Sequence, residues 1–449
     1  MDKRELFRQL PKVDNLLEEQ PIKELLKVEP RLLVVEGLRA YLDLLRNGIK
    51  DGSLETLPKG KELLDGALAS ISKVISIGDT PVVNASGVFF NPKTGRSILT
   101  APLRADVAQA CSSLLQRLVG AEHTLFLNNG TSALLLALSA LSRGKEVVVP
   151  SSHMVRIGDF DLAETIEAAG ARLVEIGCTN RVHLKDYAKA LNEQTGAILF
   201  VHRPNVDTVG FIKDPKVSEL SELAQEAKIP LIVDEGIGSL VDLREFGQKR
   251  NPLLREFVES KANIVTFSTD KLIGGPQGGL LISDECYADF LANHPLVRSL
   301  PMDVHRLVGL AKTLKLFLEP STLAEKHPFY KQLALSPKDV AQRAKDFAAT
   351  IEKEFSPQLE VTCDSGLSSS MSPISRYLML DTTLVSVKTK GTIDFASFSQ
   401  ALSQLVEIAD KDDIKLTIDF RTVAQEDEMA LKRAIETALQ YNSLKRGGE

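Results

Sequence analysis

The chain has 449 residues, enough for two or three domains and a sizeable core. With 43% hydrophobic and 25% charged residues its composition is that of an ordinary globular protein, which excludes a disordered or fibrous chain. A net charge of −6 excludes a global pull toward nucleic acid, so any RNA contact has to be a local patch.

Apolar runs break well before the roughly 20 residues that a membrane span needs. The N-terminus MDKRELFRQLPKVD is charged throughout and lacks the apolar centre of a signal peptide. A cytoplasmic protein with no membrane association is therefore expected. Cys111, Cys178, Cys286 and Cys363 show no CxxC or metal-type spacing, and the seven histidines form no HExxH motif, so reduced thiols and no metal site are expected.

Residues 1–60 read as a small helical module. Pro11 and Pro21 punctuate it, and Pro30 opens an amphipathic stretch over 31–45. Its charges nearly balance, which on charge alone favours packing or oligomerisation over an RNA-binding arm. Residues 51–61 read as a connection and 62–77 as another helix.

From 78 to 320 the pattern is that of one large domain in which strands and helices alternate. A helix over 104–119 places Val107, Cys111, Leu114, Leu115 and Leu118 on one face. Strands follow at 123–127, 146–150, 172–176, 197–202, 229–234 and 263–267, with helices at 131–141, 161–169, 217–227 and 251–260 between them. Short apolar strands separated by amphipathic helices predict a mainly parallel sheet with helices on both faces. A segment at 280–282 adds an antiparallel strand, and a helix over 304–318 closes the domain. Residues 330–445 then read as a small α+β domain with mostly antiparallel strands at 359–362, 377–380 (continuing near 385–387) and 414–419. Its helices fall at 337–355, 394–409 and 427–441.

In such a sheet ligands bind beyond the carboxyl ends of the strands, and the chemically pointed residues collect there. Asn128-Asn129-Gly130-Thr131-Ser132 joins a strand to a helix, so Gly130, Thr131 and Ser132 form either an anion cup at a helix N-terminus or an ordinary cap. Asp234 ends the strand IPLIVD, where a carboxylate needs a cationic partner such as a protonated pyridine nitrogen; a turn cap is the plainer use. Lys271 in TFSTDKLIGGPQGG follows a core strand and precedes a glycine turn that lets something flat approach the backbone. That suggests a Schiff-base lysine, although one lysine before two glycines is more often a surface residue. Ser268 adds a hydroxyl to a phosphate. His153, after the 146–150 strand, either covers a cofactor ring or is a loop histidine, and His202 either contacts cofactor or substrate or is satisfied at its strand end. A phosphate cup, a strand-end Asp and a strand-end Lys, in that order, resemble fold-type I pyridoxal-phosphate enzymes.

A closer likeness lies in VVNASGVFFNPKTGR (82–96), VEIGCTNRVHLKDY (174–187), VGF (209–211), FSTDKLIGGPQGG (267–279) and HPLVRSL (294–300). With FRQLPKVDNLL (7–17) and IDFRTV (418–423), these resemble the bacterial selenocysteine synthase family, the L-seryl-tRNA(Sec) selenium transferases. The resemblance implies that Lys271 carries pyridoxal 5'-phosphate and then removes the seryl Cα proton. Loss of the β-hydroxyl leaves dehydroalanyl-tRNA, to which selenium from selenophosphate adds. It further implies that Arg96 and Arg298 bind the selenium donor, that the N-terminal module grips the tRNA, and that the protein forms a homodimer or a ring of dimers.

Departures from the family pattern concentrate near the substrate. Asn128–Ala133 reads NNGTSA where the family has three Asn and three Ala, and Ser151-Ser152-His153 replaces an Arg-Gly-Glu run. Pro301 stands where a second arginine is expected, and the stretch between Arg96 and Leu118 lacks Tyr-Ser-Asn-Leu-Glu and Gly-Lys-Arg-Gly segments. These departures favour an alternative, a paralogue acting as a pyridoxal-phosphate lyase or aldolase on a small amino acid, with Arg376 and Arg421 as candidates for gripping its carboxylate. A third reading, a non-catalytic RNA-binding or assembly protein, conflicts with retention of both Asp234 and Lys271.

Overall fold

A computed structural model describes residues 3–54, 56–75, 107–157, 160–203, 210–369, 378–391 and 393–446. The chain forms two compact units: Met1–His202 with Lys213–Val241 and Pro252–Leu323, and Arg203–Ile212 with Asp242–Asn251 and Ala324–Glu449.

The first unit begins with the helices Lys3–Gln9, Val13–Leu17, Gln20–Leu26 and Arg31–Asp51. The last of these starts at Pro30, which fills the N-cap position, and stops at Gly52, whose φ of +83° ends the helix in the left-handed conformation. It is longer than the 31–45 expected because the 3–4 spacing of apolar residues continues through Leu45 and Ile49, both buried. Helix Lys61–Ile75 packs on it, and Ala67 and Ile71 join Leu38 and Leu42 in one core. A Cβ at Gly37 would stand 2.5 Å from the Ile71 Cα, so only glycine allows this crossing. The module is tied to the rest of its unit by Arg117 on Glu36, Lys315 on Glu29, and the Arg31 N–H on Glu319 at 2.6 Å.

The central sheet uses seven strands, β1 (His123–Leu127), β2 (Glu146–Pro150), β3 (Arg172–Ile176), β4 (Thr195–Val201), β5 (Leu231–Asp234), β6 (Ile264–Ser268) and β7 (Gly279–Ser283). Their order is β1-β7-β6-β5-β4-β2-β3, parallel except for β7, which runs antiparallel to both β1 and β6. Leu231, Ile232 and Val233 and the whole of β6 are buried, as strands covered on both faces require. Helix Gly130–Ser142 is apolar almost all round and packs into this core beside Leu199, Ile232 and Leu281. The helices after β4 and β5 are Val217–Ala227 and Leu254–Glu259, the second shorter than the 251–260 expected. A two-residue-strand hairpin (Arg156–Ile157 with Phe160–Asp161) and the short helices Leu184–Ala190, Glu285–Ala292 and Pro295–Ser299 have too little periodicity to be read from sequence.

The second unit holds an antiparallel sheet with β8 (Leu359–Ser369), β9 (Met379–Thr389), β10 (Asp410–Lys411) and β11 (Leu416–Asp419), in the order β8-β9-β11-β10. The strand expected at 377–380 with its continuation near 385–387 is one unbroken strand, because β8 pairs along all eleven residues of β9. Helices Pro337–Phe355, Phe395–Ser403 and Glu428–Arg446 surround it. Among the described residues no helix is long and apolar enough to cross a membrane, and no group of three His, Cys, Asp or Glu could hold a metal.

Candidate active site

The sheet order brings the ends of β1, β5 and β6 to one edge. β7 starts there too, since Gly279 pairs with Leu127 on one side and Ser268 on the other. A Cβ on Gly279 would lie 1.9 Å from the Asn129 carbonyl oxygen, so this residue has to be glycine for the β1 turn to close over β7.

The cap of helix Gly130–Ser142 is Asn129, whose side chain accepts the Ser132 N–H at 2.8 Å. Thr131 and Ser132 do not cap it. Ser132 is buried, whereas Thr131 is exposed. The N–H groups of Gly130 and Thr131 precede any intrahelical acceptor and add to the positive end of the helix dipole. Of the anion cup expected over Gly130, Thr131 and Ser132, Thr131 is exposed, Gly130 is half-buried against Ser268, and Ser132 is buried.

Asp234 accepts a 2.8 Å hydrogen bond from Thr266. Burial pushes its carboxyl up, while that bond and the positive charge of Lys271 pull it down. Lys271 is exposed and its Nζ donates to the Gly236 carbonyl at 2.8 Å. The same carbonyl accepts the Ser268 hydroxyl at 2.6 Å. Ser268 therefore directs its proton into the turn.

The two histidines are held within the chain. His202 donates its N–H to the Asp234 carbonyl at 2.9 Å, and its Nδ1 lies 3.2 Å from the Glu235 carbonyl, so Nδ1 carries the proton. His153 is fully buried, edge-on to Phe200. Its Nδ1 accepts the Val201 N–H and its Nε2 faces Asp214, each at 3.2 Å.

Arg298 is exposed on helix Pro295–Ser299 and makes no ion pair with a described residue. Two residues later the Leu300 carbonyl accepts the Asn128 N–H at 3.0 Å, which ties this segment to the end of β1. Pro301 bridges to Leu127. Arg96 and Arg376 lie outside the described residues. Arg421, in the second unit, is buried, and its guanidinium donates to the carbonyls of Asp381, Gln332 and Leu335 at 2.8, 3.2 and 3.0 Å. It braces that unit and is not available to a substrate carboxylate.

Sequence reading missed two residues of this edge. Arg306 donates to the Asn128 carbonyl at 3.4 Å; nothing in the sequence marks it, because the contact joins residues far apart. Glu235 is fully buried beside Asp234, and a second carboxylate at a strand end was the available signal.

The profile described as L-seryl-tRNA selenium transferase matches residues 99–424, and one described as selenocysteine synthase N terminal matches 7–46. The chain belongs to the L-seryl-tRNA selenium transferase family. A relative from Geobacter metallireducens named L-seryl-tRNA(Sec) selenium transferase is 36% identical over 414 residues, covering 86% of this chain and 89% of that protein. One of the same name from Geobacter sulfurreducens is 32% identical over 459 residues, covering 96% and 98%. Among solved structures, D-glucosaminate-6-phosphate ammonia-lyase aligns at 18% identity with a TM-score of 0.49, covering 75% of this chain and 86% of that one. The family assignment rests on the profile and the relatives.

Proposed function

We propose that this chain converts seryl-tRNA(Sec) to selenocysteinyl-tRNA(Sec), using pyridoxal 5'-phosphate as cofactor and selenophosphate as selenium donor, through a dehydroalanyl intermediate. The observation that carries the proposal is the family match across residues 99–424, which contains both Asp234 and Lys271. The residues present fit the cofactor. Gly130 and Thr131 offer N–H groups to a phosphate, Asp234 offers a carboxylate to a cationic ring nitrogen, and the exposed Lys271 amine suits an aldehyde. The Asn128 Oδ1, buried without a hydrogen-bond partner, is a further acceptor at the end of β1.

When bound, pyridoxal phosphate supplies an electron-withdrawing ring that stabilises negative charge at the seryl Cα. Lys271 would hold the cofactor through Nζ, and its amine is the group placed to take the Cα proton. Asp234 stays ionised against the ring nitrogen, which offsets the cost of its burial. His202, with its proton on Nδ1, stands at the end of β4 beside Asp234. Arg298 binds the anionic selenium donor through its guanidinium fork. The N-terminal module, matched over 7–46, grips the tRNA. We further propose a homodimer or ring of dimers in the cytoplasm.

The test is incubation with seryl-tRNA(Sec) and selenophosphate, followed by analysis of the aminoacyl group. Selenocysteinyl-tRNA supports the proposal. Turnover of free amino acids with untouched seryl-tRNA supports the lyase or aldolase reading instead. Lys271→Ala is expected to abolish both the product and the borohydride-reducible visible absorbance. Wild-type protein that stays colourless with added cofactor overturns either enzyme reading.

A further inference from the structure

We propose that Glu235 is a positioning residue for Lys271: its buried carboxylate shapes the turn over residues 235–239, and the Gly236 carbonyl of that turn sets where the lysine amine rests. The inference builds on reading Lys271 as the cofactor-bearing lysine.

The turn is wrapped around the carboxylate. Oε2 accepts the N–H groups of Ile237 at 3.1 Å and Gly238 at 2.6 Å, and Oε1 accepts that of Ser239 at 3.1 Å. Gly236 and Gly238 have φ of +80° and +70°, the left-handed steps that let successive N–H groups converge on one anion. The N–H groups of Glu235 and Gly236 both donate to the Thr266 carbonyl, at 2.9 and 3.2 Å, and so fasten the turn to β6. With its N–H groups engaged inward, the turn presents its carbonyls to the lysine loop. Gly236 accepts Ser268 at 2.6 Å and Lys271 at 2.8 Å, and Ile237 accepts the Leu272 N–H at 3.0 Å. Two consecutive residues of the lysine loop thus hang on two consecutive carbonyls of the turn.

Among the described residues no cation bonds the Glu235 carboxylate. Among those residues the charge that acts on it is Asp234 on β5; Lys271 bonds the next carbonyl along, that of Gly236, and His202 at the end of β4 donates from Nδ1 to the Glu235 carbonyl. Burial, reinforced by Asp234, pushes the Glu235 carboxyl up to about 7 against the three N–H bonds. Protonation converts one acceptor oxygen into a donor that faces N–H groups, so the carboxylate that shapes the turn changes its hydrogen bonding as pH falls through neutrality.

The full-length protein and pyridoxal phosphate itself test this without any tRNA. The rate of formation of the borohydride-reducible adduct, located on the Lys271 peptide by mass spectrometry, is followed from acid to alkaline pH for wild type, Glu235→Gln and Lys271→Ala. We expect Glu235→Gln to form the adduct about tenfold or more slowly at alkaline pH, the loss of one charged hydrogen bond, and to lose the wild-type inflection near neutrality. On the wild type alone, hydrogen-exchange protection of the Ile237, Gly238 and Ser239 amides changes across that inflection, a readout that does not require the variant to fold. An unchanged rate and pH profile in folded Glu235→Gln, or protection independent of pH, overturns the proposal while leaving the cofactor reading intact. No adduct in wild type defeats both.

Discussion

Asp234 and Glu235 follow each other into the same edge of the sheet and are satisfied in different ways. Glu235 is closed off by backbone N–H groups, whereas Asp234 has one hydroxyl and a nearby lysine charge. A carboxyl whose folded pKa is raised binds its proton more tightly in the native state. Stability is therefore highest in acid and falls as pH rises from the ordinary value to the folded one. For Glu235 that window runs from 4.5 to about 7 and corresponds to on the order of 3 kcal/mol. Denaturant titrations across the window should show this slope in wild type and not in Glu235→Gln. The same sign applied to Asp234 means that Asp234→Asn, freed of a buried charge, should melt higher than wild type at pH 8 without cofactor. Its affinity for pyridoxal phosphate should fall in equilibrium titration. Higher cofactor affinity in Asp234→Asn would contradict the role assigned to the carboxylate.

The anion cup depends on the junction between β1, β7 and helix Gly130–Ser142. Asn129→Ala removes the cap on Ser132 and should cost about 1 kcal/mol by chemical denaturation. Gly279→Ala places a methyl against a backbone carbonyl that has no rotamer by which to retreat. A loss of about 1–3 kcal/mol is expected, together with weaker cofactor uptake, because the turn bearing Gly130 and Thr131 is pushed off β7. Cofactor uptake unchanged in a destabilised Gly279→Ala would separate the cup from the junction. The element pattern here was readable: a strand at 123–127, two asparagines, then a helix. The capping residue was not, because Asn129, Thr131 and Ser132 are all competent caps and only the backbone path selects one.

Across the whole molecule, the N-terminal module does not stop where its composition changes. Helix Lys61–Ile75 shares the core of Arg31–Asp51, so a deletion of residues 1–60 strips one wall from that helix. A deletion through residue 75 removes the module with its core complete, and should abolish tRNA binding in a filter or gel-shift assay while cofactor uptake persists. Retained tRNA binding would count against the module's assigned role. In the second unit, Arg421→Met should cost about 3 kcal/mol or more in denaturant unfolding, since it leaves three carbonyls without their donor. That site is invisible to motif reasoning: IDFRTV matches the family pattern, but whether its arginine meets a ligand or the protein's own carbonyls is a question of packing.

The sequence by itself determined the alternation of strands and helices, the parallel class of the large sheet, and the order of cup, strand-end Asp and Lys271. These follow from hydrophobic periodicity and from residue chemistry at strand ends, which are local properties. Only the tertiary structure decided which polar groups are already satisfied. It turned His153, Ser268 and Arg421 inward, left Thr131, Lys271 and Arg298 facing out, and drew Glu235 under the turn that holds the lysine. The reason is physical: a buried polar group takes whatever partner the fold brings near, and those partners lie tens to hundreds of residues away along the chain.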